Sequence, residues 1–165
     1  MSIVDPLLAE LEQESAATLR LLERIPEDKL TWRPHAKSMS LGQLALHLAR
    51  VPGALTQAAQ LDGIQVPEFK NSEAESRQQI VDAFRESLAT AKEGWSKLSD
   101  ARLMENWSVS NGEQVVMSLP RVAVLRALIL NHSYHHRGQL TVYLRMLDVP
   151  LSSVYGPSAD ENPFQ

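Results

Sequence analysis

Two histidines one helical turn apart, His132 and His136, stand on a stripe otherwise filled by apolar side chains. On a wheel of about 100° per residue with Leu125 at zero, His132 falls near −20° and His136 near +20°, with Tyr143 back near zero. His135 falls near −80°, on the shoulder of the stripe. Side chains at i and i+4 have Cβ atoms about 6 Å apart, so both imidazoles can reach one metal ion. The pair also fits two core imidazoles, each bringing a donor and an acceptor that must find partners. His47 follows Leu44 by three and precedes Val51 by four, so it too points inward. A third imidazole from a second helix is what a three-ligand site with an open position requires. The residue after His132 is Ser133 rather than Glu, so the built-in general base of an H-E-x-x-H protease is missing.

Composition narrows the chemistry further. The chain has no cysteine, which excludes disulfides, a protein thiol nucleophile, iron–sulfur clusters and thiolate metal sites. Any metal must be held by His, Asp or Glu. At 165 residues, with 44% hydrophobic and 22% charged, it reads as one globular domain, residues 1–165. Sixteen Lys+Arg against twenty Asp+Glu give a net charge of −4, which argues against a nucleic-acid partner. Residues 1–5 carry no basic n-region, and no apolar run approaches the ~20 residues of a membrane span. The expectation is a cytoplasmic protein with no membrane partner.

Four helices of roughly 18–28 residues must position these groups. Asp5-Pro6 is expected to open the first, with Asp5 as N-cap, and Pro26 to stop it. Ser40 is the expected N-cap of the second, which is kinked or ended near Pro52. Residues 60–71 read as a loop. Val81, Phe84, Leu88, Ala91, Trp95 and Leu98 mark the third helix by their three-and-four spacing. Residues 100–118 are irregular, with a turn at Asn111-Gly112 and room for a short strand pair. The last helix runs from about Pro120 to about Asp148, before an extended tail. The fold class is therefore all-α, a four-helix bundle. Trp95 belongs to the core; Trp32 and Trp107 cap a bundle end or line a pocket mouth. His35 and Arg137 read as surface residues. Ala127, Leu130, Tyr134, Gly138 and Thr141 give the last helix a second small or apolar side, which suggests a homodimer.

Three separated segments carry a family resemblance. Thr31-Trp-Arg-Pro-His-Ala-Lys-Ser-Met-Ser-Leu-Gly-Gln-Leu-Ala-Leu-His47, Asn131-His-Ser-Tyr-His-His-Arg-Gly-Gln-Leu140 and Tyr155-Gly-Pro-Ser-Ala-Asp160 resemble, in order, the motifs of the DinB-like (DinB/YfiT) superfamily of metal-dependent enzymes. The resemblance implies a four-helix bundle with one long crossover connection, usually dimeric. It implies a divalent metal, nickel or zinc, with His47, His132 and His136 as ligands. It further implies a transferase or isomerase using a low-molecular-weight thiol such as mycothiol or bacillithiol, or a hydrolase of YfiT type. The family name reflects DNA-damage inducibility and does not imply DNA binding.

The leading expectation is a metal-dependent transferase that directs a small thiol onto a small electrophilic substrate, as in detoxification. A metal-water hydrolase and a non-enzymatic stress-response binding protein are the alternatives. Three imidazoles suit several divalent metals, and no motif names the thiol, the substrate or a catalytic base.

Overall fold

The computed structural model describes residues 2–68 and 71–164. Four long helical stretches supply most of it. Helix α1 spans Val4–Leu22, α2 Leu41–Gln60 and α3 Arg77–Ser96. After the short α4 (Asp100–Met104), the last helix is assembled from α5 (Arg121–Ala123), a π-helical stretch (Val124–Asn131) and α6 (His132–Met146). Helix α2 packs against α3 on one side and against α6 and the π-helical stretch on another.

The all-α expectation is corrected by a small sheet. Strand β1 (Gly63–Gln65) lies parallel to β2 (Asn106–Asn111), which pairs antiparallel with β3 (Gln114–Pro120). The anticipated turn at Asn111-Gly112 joins β2 to β3, with Gly112 at φ +59°, a conformation open to glycine at little cost. Residues 60–71, expected as loop, contribute β1. The buried Trp107 indole donates to Ala58 O at 2.9 Å, tying the sheet to the end of α2. Trp107 is thus core, while Trp32 meets Tyr143 edge-to-face at 5.7 Å.

Two helix starts show how local chemistry sets boundaries. Ser40 forms a capping box with Gln43, as expected: its hydroxyl accepts from the Gln43 N–H, and the Gln43 side chain accepts from the Ser40 N–H. Helix α1 instead begins at Val4, ahead of the expected Asp5 cap. The Asp5 carboxylate accepts from the Ser2 N–H at 2.7 Å and stabilises the first turn from within.

Pro52 does not end α2. Proline removes one helical N–H, and Ser87 on α3 bonds the backbone on both sides of Pro52. The Gly53 N–H donates to Ser87 Oγ at 2.7 Å, and that hydroxyl donates to Arg50 O at 3.2 Å. A Cβ at Gly53 would lie 2.9 Å from Ser87 Cα, so the close approach of α2 and α3 depends on this glycine.

The π-helical stretch resets the last helix. Val124 and Ile129 are both buried, as are Leu125 and Leu130, at a spacing of five. One extra residue per turn is the signature of π-helical winding. Leu130, expected on the outer dimer-forming side, is therefore 1% exposed in the core. Arg137, seven residues later, falls on the same side and is only 3% exposed. The surface placement expected for Arg137 is corrected accordingly. Its guanidinium donates to Glu14 O and Oε2 and to the Tyr155 hydroxyl, and it lies between the rings of Tyr134 and Tyr155. Nearby, Glu10 accepts from both Arg126 and the Tyr134 hydroxyl. Helix α1 thus reaches Tyr134 and Arg137 on the side that had looked free for a partner, while Ala127 and Gly138 stay exposed.

Candidate metal centre

The capping box at Ser40 fixes where α2 starts, and buried Leu44, Leu48 and Val51 fix its rotation. That places the half-buried His47 opposite the start of α6, where His132 is the first residue and His136 follows one turn later. His47 Nε2 and His132 Nε2 are 3.0 Å apart. The ring of His136 is centred 4.6 Å from that of His47 and 4.5 Å from that of His132. One nitrogen from each of the three lies within 4.8 Å of the others. The structure brings together the three residues singled out by spacing and leaves the rest aside. His135 is exposed on the rim, its ring 4.9 Å from that of His136. His35 is exposed in the loop before α2, where its Nδ1 accepts from the Lys37 N–H.

This arrangement fits a divalent ion by distance and by charge state. Tetrahedral zinc with nitrogen ligands at about 2.0–2.1 Å sets ligand nitrogens about 3.3 Å apart, close to the observed His47–His132 separation. All three imidazoles favour the neutral, ligating form. Burial lowers the pKa of His47, helped by His136. Burial, then the neighbouring His136, His47 and His135, pushes His132 down to about 4. Burial also lowers His136, against an opposing hydrogen bond to Gln139.

Gln139 was missed from the sequence. Its Oε1 sits 2.8 Å from His136 Nδ1. An amide oxygen accepts only, so Nδ1 carries the proton and the Nε2 lone pair is left free for a ligand role. The signal was available in the i, i+3 spacing on one helix. Arg121 was also missed: it is fully buried and donates to Ala59 O and Leu61 O at the end of α2. It holds the α2 end to the sheet and takes no part in the histidine cluster.

The family profile described as DinB family matches residues 1–162. The chain belongs to the DinB family. This DinB chain is 29% identical over 164 residues to the uncharacterized protein YrdA of Bacillus subtilis, covering 96% of this chain and 91% of YrdA. Its fold is similar to that of a DinB-like protein from Bacillus cereus, with TM-score 0.73 and 22% identity over 93% of this chain and 98% of that one. It is also similar to the DinB-like protein YjoA of Bacillus subtilis, with TM-score 0.68 and 18% identity over 89% and 96% of the two chains. These structural likenesses establish the shared DinB fold. No helix among the described residues is long and apolar enough to cross a membrane.

Proposed function

We propose that this DinB-family protein binds a divalent metal, nickel or zinc, through His47, His132 and His136, and uses it to direct a low-molecular-weight thiol onto a small electrophilic substrate. The observation that carries the reading is the convergence of three neutral imidazoles from two helices with no carboxylate among them. Neutral ligands leave a bound dication its full charge, which lowers the pKa of a thiol or water molecule that reaches its open position. The thiol half of the reading is supported by the family resemblance and by composition: with no cysteine in the chain, the sulfur nucleophile comes from solution. In the transfer, the thiol proton passes to solvent, a sulfur–carbon bond forms, and the leaving group departs with its bonding electrons. The chain's own residues hold the three nitrogens in place and keep them unprotonated.

A homodimer through the open side of α6 is part of the proposal. Gly138 has nothing within 4 Å of where a Cβ would stand, and Val142 is 57% exposed. A clean monomer in sedimentation at micromolar concentration would remove that part.

Elemental analysis of untagged protein tests the centre. His136→Ala is expected to lose bound metal while keeping its helical circular dichroism, and His135→Ala to keep both. Unchanged metal content in His136→Ala would overturn the ligand assignment. Metal-loaded protein offered a panel of thiols with alkylating electrophiles is expected to form thioethers. Turnover of esters or amides without added thiol would favour hydrolysis instead.

A further inference from the structure

Beside the histidines lies a cavity of about 80 Å3 lined by Gln43, Leu46, His47, Arg50, Asn71 and Ser72. Its wall offers amides, a hydroxyl, an imidazole and one guanidinium, and no carboxylate among the described residues. Gln43 is already engaged, capping α2 and donating to Asn71 O. Arg50 is not. It lies three residues beyond His47 on α2, about one turn along the same side.

The other ten of the chain's eleven arginines each donate to, or form an ion pair with, a carboxylate or donate to a backbone carbonyl. Arg50 alone has no side-chain hydrogen bond or ion pair among the described residues. Glu86 lines the groove on its other side and forms no ion pair with it. A guanidinium offers a planar pair of donors matched to carboxylate and phosphate oxygens. Together with a dication held by neutral ligands, it makes this end of the cavity favour negative charge.

We infer that Arg50 anchors an anionic group, carboxylate or phosphate, of the small molecule handled at the histidine centre, with Asn71 and Ser72 adding neutral hydrogen bonds. The inference takes its place in the reaction from the metal reading above, while the anion site itself stands on the cavity and the unpaired cation.

The test titrates the zinc-loaded full chain with succinate, inorganic phosphate and neutral succinamide, following binding by calorimetry and by the Arg50 Nε–H resonance. Arg50→Gln is expected to weaken the tighter of the two anions by about tenfold or more, Arg50→Lys to retain part of the affinity, and zinc affinity to match wild type in both. The stronger of succinate and phosphate identifies the group. Anion binding equal in wild type and Arg50→Gln, or succinamide binding as tightly as succinate, would overturn the inference. So would the failure of both anions to bind wild type. Should wild type take up no zinc, the metal reading is what fails, and the same comparison on metal-free protein still decides the role of Arg50.

Discussion

The Nε2 atoms of His47 and His132 face each other at 3.0 Å, so in the metal-free protein one donates and the other accepts. Protonating both would set two charges and two N–H groups against each other. Burial, His136, His47 and His135 together push His132 down to about 4 from an ordinary 6.5. The unfolded chain therefore takes up this proton at higher pH than the folded chain. Stability is complete above about pH 6.5 and is lost as pH falls toward about 4, with an upper bound of roughly 3 kcal/mol from this residue. Thermal melts of chelator-treated protein across that range should show the fall, and His132→Gln should flatten it. An equally steep fall in the variant would contradict the assignment.

Gln139 holds His136 in one tautomer through the 2.8 Å contact at Nδ1. Outer-shell partners of metal-ligating histidines typically change metal affinity by about 10–100-fold. Gln139→Leu should weaken zinc binding by roughly tenfold without changing the melting temperature of the metal-free protein by more than a few degrees. Competition with a chelator measures the first and calorimetry the second. Wild-type zinc affinity in the variant would show that the amide does not position the ring.

The buried Arg137–Glu14 pair gives a sharper stability test. Their side chains are 3% and 13% exposed, so removing the cation strands a carboxylate in low-dielectric surroundings. Arg137→Met should cost about 3–5 kcal/mol. The exposed Arg20–Glu161 pair should cost no more than about 1 kcal/mol in Arg20→Ala. Urea unfolding of the two variants compares them directly.

Two glycines should respond in opposite directions. At Gly53 a methyl group meets the α3 backbone at 2.9 Å, so Gly53→Ala should lose about 1–3 kcal/mol as the helices separate. At Gly138 there is open space, so Gly138→Ala should gain up to about 1 kcal/mol from helix propensity. Melting temperatures of the pair are the measurement.

The histidine cluster was legible because its signal is local and redundant. His132 and His136 sit four apart on one helix, and His47 lies three after Leu44 and four before Val51, which fix its direction. The helices were legible for the same reason, with Ser40 marking the start of α2 and the spacing from Val81 to Leu98 marking α3, although that helix ends at Ser96, before Leu98. The sheet was not. Val115, Val116 and Met117 are exposed in succession, so β3 lacks the in–out alternation that marks a half-buried strand. Arg137 and Leu130 were misplaced because a wheel of constant pitch cannot include a π-helical turn. Arg50 leaves no trace in spacing, since what distinguishes it is the partner it lacks.

The wider turn at Val124–Asn131 also makes the last helix a two-part shaft with a fixed angular offset. Each residue of an α-helix turns the chain by about 100°. Deleting one residue inside the stretch would preserve composition, helicity and every motif. It would also swing His132 and His136 out of line with His47, or drag the packed half of the shaft out of its seat. The phasing of the imidazoles is therefore set upstream of them, by a segment that contains no histidine.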